Sequence, residues 1–485
     1  MLSPTRVAIA ALLTALPLTA QAGTEPASGL EAGLESVQTE NIRADIHFIA
    51  SDDMAGRDSP SPGLRIAARY IRSRLQRLGF QPGAEDGFFY HYPLRQLRMD
   101  AEASSLTLSG SGGELGLSFG SDYFLYSTTE ARDSNAVGEI VFGGTGEREQ
   151  LSELDLDGKW VLCWESDLSP LKRRNNAVRA GALGMLVAPG PEYSGEPYTE
   201  RFASVLERID RGVVSWPSER TSQRPFFPQL FLSRSAIERG LALGEGLGTL
   251  ELGQSLGLSA NEVRVGEGTI QMENVCGFWP GSDETLANEV LIVSAHYDHV
   301  GTRNGEVYNG ADDNGSGTCG LMALAEALAH YGPMRRSVML IWVSAEEKGL
   351  WGSKAWARNP WLPEGCTPVA NINIDMIGRN APDELQITPT RERAADYNGI
   401  VRAAEALSAL EGFPTLGNAD AYYHRSDHAE FAKLGIPVSF LFADVHEDYH
   451  QPGDTPDKID CDKIRRVVRL VLRMLDSMQV DALEL

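Results

Sequence analysis

The sequence predicts an α/β fold, a mostly parallel mixed sheet sandwiched by helices and carrying a smaller β-rich inserted domain. Three observations predict it. Apolar runs such as V-M-L-I-W-V (338–343) and V-S-F-L-F-A (438–443) are hydrophobic on both faces, as strands covered by helices on each side must be. After residue 260 such runs alternate with helical periodicity, the pattern of a parallel sheet with crossover helices. The block 135–259 instead reads as short strands between acidic or helical loops and contains no histidine.

In chain order, Arg6, the apolar run Val7 to Leu18 and then Ala20-Gln21-Ala22 fit a signal peptide, residues 1–22, cleaved after Ala22. The run is too short to span a bilayer, so the mature protein is expected to be exported, periplasmic or secreted, and not membrane-bound. Residues 23–134 are assigned to the N-terminal part of the catalytic domain. They hold two helices around S-D-D-M-A-G-R-D-S-P, the second closed by Gly79, and then strand-like alternation from Leu94 to Tyr126. Residues 135–259 form the inserted domain and residues 260–485 the catalytic domain. The latter reads as strand Glu289 to Ser294, helix Gly317 to His330, strand Ser337 to Ser344, helix Gly349 to Arg358 and strand Ala370 to Met376. A helix through Ala394 to Leu410, strand Pro437 to Phe442 and a final helix from Cys461 to Met478 complete it.

Composition narrows the partners. The 43 Lys and Arg against 67 Asp and Glu leave a net charge of −24, which repels phosphate backbones and anionic lipid, so neither nucleic acid nor membrane is an expected partner. Five cysteines in 485 residues do not make a disulfide scaffold. Cys366 and Cys461 are the one pair whose loop and helix-start settings suit a bridge.

In open α/β sheets, sites form outside the carboxyl ends of the strands. His296 and Asp298 follow the first catalytic strand, and the loop after it delivers Asp312 and Asp313. Glu346 and Glu347 follow the next strand, Asp375 closes the third, and His446 and His450 follow the strand through Phe442. Seven of the nine histidines lie between His296 and His450. Imidazole and carboxylate donors recurring at four strand ends are the chemistry of a site for zinc or a similar divalent ion.

The blocks A-H-Y-D-H, G-A-D-D-N-G-S-G, V-S-A-E-E-K-G-L-W-G-S, N-I-D-M-I-G-R, S-D-H-A-E-F and D-Y-H-Q-P-G-D-T resemble the co-catalytic dizinc aminopeptidases, a family that includes secreted leucyl aminopeptidases, glutamate carboxypeptidase II and the transferrin receptor. The opening S-D-D-M-A-G-R and the inserted block are similar to its N-terminal segment and its protease-associated domain. The resemblance implies two zinc ions bridged by Asp312, with His296 and Asp375 on one and Glu347 and His450 on the other. It implies Glu346 as general base, and a cis peptide between Asp312 and Asp313 that turns Asp313 away from the metals. Tyr449 matches a tyrosine that donates to the oxyanion, with a packing role equally open, and Asp427 matches a supporting position. Asp298 is expected to orient the ring of His296.

Two other motifs compete. His446-Glu447-Asp448-Tyr449-His450 matches H-E-x-x-H, which needs a helix, yet Pro452-Gly453 leaves barely two turns for one. Gly116-Leu117-Ser118-Phe119-Gly120 matches a serine-hydrolase elbow, but strand-like residues follow it rather than a helix. The expected function is therefore a zinc exopeptidase acting on peptides, an aminopeptidase first, with water activated between two metals. A carboxypeptidase or dipeptidase activity, or a non-catalytic receptor on the same scaffold, is the alternative.

Overall fold

The computed structural model describes residues 29–125, 134–191, 200, 212–217, 227–244, 249–303 and 305–484. The expected leader and its cleavage site lie outside them. Among these residues the chain builds two large sheets and a small ribbon.

The larger sheet has ten strands. At its centre, Glu289–His296 pairs in parallel with Ser337–Val343 on one side and Thr367–Ile374 on the other. Val438–Phe442 extends this parallel core. Gly266–Trp279, Phe89–Met99 and Val213–Ser215 add antiparallel strands beyond Ser337–Val343. Leu385–Thr388 and Leu416–Asn418 close the opposite edge. The sheet is thus mixed: the four central strands, which carry the expected chemistry, run parallel, and a second parallel pair, Leu385–Thr388 with Leu416–Asn418, lies at the edge.

Helices cover it on both faces. Pro62–Leu78 starts where the Ser61 hydroxyl accepts the Leu64 amide N–H at 3.0 Å and ends at Gly79, whose φ of 86° suits a residue without Cβ. Gly317–Tyr331 is buried along most of its length. Cys461–Ser477 is capped by Asp460, which accepts the Lys463 N–H at 3.0 Å. Every residue from Ser337 to Val343 is buried between these layers. Each such Val, Ile or Leu contributes about 1.5–3 kcal/mol of burial, so the strand ends are held rigidly.

The second sheet has eight strands and its own core, around Trp160, Phe124 and Leu230. It draws on strands from Ser105–Gly110 to Ser255–Arg264, so it begins some thirty residues before the expected boundary at 135. The early strands Ser105–Gly110 and Gly113–Leu117 are short and glycine-bounded, and their attachment to Ser255–Arg264 is a long-range pairing that local pattern does not display. Ser118 lies in the turn after Gly113–Leu117, not at a strand-to-helix elbow.

All five cysteines are free thiols, including Cys366 and Cys461, so the suggested bridge is absent. No helix among the described residues is long and apolar enough to cross a membrane.

Candidate metal centre

The carboxyl ends of the parallel strands converge on one cluster of imidazole and carboxylate groups. His296 is the last residue of its strand. Its Nδ1 lies 3.1 Å from the carbonyl oxygen of Asp298, the position of an N–H donor, which leaves Nε2 for the cluster. Asp298 therefore orients the ring through its backbone. Its carboxylate, 3.8 Å away from Nδ1, accepts the Ser59 hydroxyl and the Glu346 amide instead.

Two donor groups share one carboxylate. Asp313 Oδ1 lies 3.4 Å from His296 Nε2, which is 3.2 Å from Asp375 Oδ1. Asp313 Oδ2 lies 3.0 Å from His450 Nε2, which is 3.1 Å from Glu347 Oε1. The buried His299 joins the second group, its Nδ1 2.9 Å from Glu347 Oε1 and 3.8 Å from Asp313 Oδ2. In each group the donor atoms lie within 4.8 Å of one another, close enough to hold one ion.

This geometry corrects the expectation for the two aspartates. Asp313, not Asp312, sits between the groups, and the cis peptide joins Asp313 to Asn314. Asp312 faces the other way: its Oδ1 accepts the Gly378 N–H at 2.7 Å and its Oδ2 lies 3.4 Å from His446 Nε2. Adjacent residues in this loop direct their side chains apart, and two identical residues carry no label of which faces inward. His446 stands behind the cluster beside Asp312. Residues 443–450 form loop and turn, so the helix that H-E-x-x-H requires is missing.

Residues outside the expected set hold the cluster in place. Asp454 accepts the amide N–H groups of Asp312 and Asp313 at 3.0 and 3.1 Å. The fully buried Arg57, from the S-D-D-M-A-G-R segment, donates to the carbonyls of Tyr297, Asn309 and Gly310 at 3.0, 2.7 and 2.8 Å. It ties the loop after His296 to the loop before Asp312. Ser426 donates to Asp375 Oδ2 at 2.8 Å, and Asp427 accepts from Ser353 at 2.5 Å without touching either donor group. The sequence signal for Arg57 and Asp454 was their place in the opening segment and in D-Y-H-Q-P-G-D-T; nothing marked their partners. Ala345, Met376 and His450 have φ of 56°, 51° and 52°, left-handed backbone at or beside three cluster positions.

The electrostatics show a shortage of positive charge. Burial, reinforced by neighbouring carboxylates, pushes Asp298 and Asp454 up to about 6 and Asp427 up to about 7. Burial likewise raises Glu346 well above its ordinary range despite His296, with Glu347, Asp427 and Asp375 adding to the rise. Burial opposes the charged form of His450, yet Asp313 and Glu347 raise it to about 10. A buried cluster so rich in carboxyl groups is stabilised by added cations. Glu347 Oε1 and both nitrogens of His299 are buried without a hydrogen-bond partner, as donors reserved for an ion would be. The residues therefore fit a pair of divalent ions.

Beside the cluster lies a cleft lined by His296, Asp313, Glu346 and Asp375 together with Met376, Arg425, Phe440 and Phe442. Tyr449 lines it too, stacked on His450 with ring centroids 4.0 Å apart.

Comparison with known proteins gives the family. The profile of peptidase family M28 matches residues 274–475, which hold every cluster residue named above except Arg57 and Ser59. Leucine aminopeptidase 2 of Trichophyton equinum is 30% identical over 400 residues, covering 68% of this chain and 77% of that protein. The chain belongs to peptidase family M28. Another relative of this M28 chain, the probable leucine aminopeptidase of Arthroderma otae, is 29% identical over 205 residues. The M28 chain covers 54% of that protein's length, and 40% of the chain is matched. Among solved structures, BSAP, a zinc aminopeptidase from Bacillus subtilis, superposes with a TM-score of 0.50 at 20% identity over 91% of the M28 chain and 94% of its own. That likeness speaks to the fold.

Proposed function

We propose that this M28 chain is an exported dizinc aminopeptidase that removes apolar N-terminal residues from peptides. The cleft carries this reading. Its lining brings Glu346, Asp375 and Asp313, which suit a free ammonium group, together with Met376, Phe440 and Phe442, which suit an apolar side chain, alongside the cationic Arg425. The names of the relatives, leucine aminopeptidases, point the same way. Export rests on the pattern from Arg6 to Ala22.

His296, Asp375 and Asp313 would hold one zinc ion, and Asp313, Glu347 and His450 the other. When bound, the ions supply the positive charge that polarises the scissile carbonyl, acidifies water and favours ionised carboxylates around them. Glu346, in the cleft beside both groups, takes a proton from the attacking water and delivers it to the leaving amine. The Asp298 carboxylate accepts the Glu346 amide N–H at 3.1 Å and so fixes where that base stands. Tyr449, on the cleft wall, donates its hydroxyl proton toward the carbonyl oxygen as charge develops there.

Comparing Leu-peptides with free and N-acetylated amino termini tests the reading. Cleavage of the free peptide alone is expected. Equal cleavage of both would replace the aminopeptidase with a carboxypeptidase or endopeptidase.

A further inference from the structure

We infer that His299 is an additional protein donor at the Glu347–His450 position, so that this position is closed by four protein ligands while the His296–Asp375 position keeps three and stays open. The inference rests on the dizinc reading above and goes beyond the five donors that the family resemblance implies.

Four atoms converge there: Asp313 Oδ2, Glu347 Oε1, His450 Nε2 and His299 Nδ1. Four of their six separations are 2.9, 3.0, 3.1 and 3.8 Å, and all lie within 4.8 Å. A tetrahedron with bonds of 2.0–2.1 Å to nitrogen and oxygen has edges of about 3.3 Å, within that spread. The nitrogen of His299 approaches Glu347 Oε1 closely, yet neither atom has a partner at hydrogen-bond angles. Close approach without hydrogen-bond alignment is what donors show when their lone pairs aim at a common point between them. A His299 that merely oriented Glu347 would instead present an N–H along the oxygen lone pair.

The site is also built to hold the ring. His299 has no exposure to solvent, and its ring stands edge-on to His450 with centroids 5.5 Å apart. A Cβ on Gly310 would lie 2.3 Å from His299 Cγ and 2.3 Å from the Asp313 carbonyl oxygen. Gly310 has a φ of 57°, so glycine there permits both the turn and the close packing of imidazole against the loop that carries Asp313. The Arg57 bond to the Gly310 carbonyl fixes that loop from behind.

Four-coordinate closed sites are structural in character, and sites with three protein ligands are the catalytic ones. The closed position should therefore fill first and exchange slowly. The open position should fill second and be the one that water and substrate reach.

The test uses the full chain stripped of metal. Zinc titration against a chromophoric chelator should resolve two classes of site, with one equivalent bound at least about tenfold more tightly. Singly loading the tight site with Cu²⁺ should give a pulsed-EPR signal from two imidazoles. His299→Gln and His299→Ala should weaken the tight class about 10- to 100-fold and leave one imidazole signal, while the second class is unchanged. A single imidazole in the unaltered protein, or a tight class that survives both substitutions, overturns the inference, and the imidazole count holds even if a variant folds poorly. Binding of less than one equivalent of zinc by the unaltered protein would instead sink the dizinc reading on which it rests.

Discussion

The carboxylate of Asp454 receives the backbone N–H of Asp313 at 3.1 Å. It also receives that of Asp312 at 3.0 Å, so one buried side chain pins the backbone from which the shared carboxylate projects. Replacing Asp454 with Ala leaves two buried N–H groups unpaired, at about 1–3 kcal/mol each. Asp454→Ala is expected to lower zinc affinity about 10- to 100-fold, read by chelator competition on protein whose circular dichroism is unchanged. Unaltered affinity would show that the loop holds its shape without this contact.

The neighbouring aspartates should part company. Asp313→Ala removes a donor from both groups and is expected to abolish binding of the second zinc equivalent and nearly all hydrolysis. Asp312→Ala removes the acceptor of the Gly378 N–H and the carboxylate beside His446, but no donor of either group. It is expected to cost about 1–3 kcal/mol of unfolding stability while stoichiometry stays at that of the native protein. The reverse ranking in metal analysis would restore Asp312 as the shared ligand.

Glu346 lies in the cleft and belongs to neither donor group. Glu346→Gln is expected to keep the native zinc content and lose about 10²- to 10⁴-fold in kcat. A variant that loses zinc as well as activity would move Glu346 from proton transfer to metal binding.

His428 offers a stability probe away from the donors. Its ring is fully buried and stacked on Phe440 at 4.6 Å, and burial pulls its pKa down to about 3 from 6.5. The unfolded chain then binds a proton that the folded one refuses, so this group's contribution is complete above pH of about 6.5 and is lost as pH falls toward about 3. One such proton costs about 1.4 kcal/mol per pH unit, or about 2 kcal/mol between pH 6.5 and 5. Urea unfolding at those two pH values should show that drop shrink in His428→Phe. An equal drop in both proteins would assign it to other groups.

Much of the fold was legible because its signals are local. The runs at Ser337 to Val343 and Val438 to Phe442 are apolar at nearly every position and could only be covered strands. The strand-end rule then located His296, Glu346, Glu347, Asp375 and His450 at one site, since side chains at the carboxyl ends of adjacent parallel strands must meet. The early start of the eight-stranded sheet was not legible, because the pairing of Ser105–Gly110 with Ser255–Arg264 joins segments about 150 residues apart.

The opening loop divides the two kinds of knowledge most sharply. Residue types and strand ends, read from the sequence alone, determined that His296, Glu346, Glu347, Asp375 and His450 would meet at a cation site with an aspartate of the Asp312–Asp313 pair. Which aspartate faces in, and that His299 joins while His446 does not, was decided by tertiary structure. Those choices depend on the Gly378 N–H, the Asp454 carboxylate and the Arg57 guanidinium, groups brought from distant segments that set the path of the loop and so the direction of each side chain.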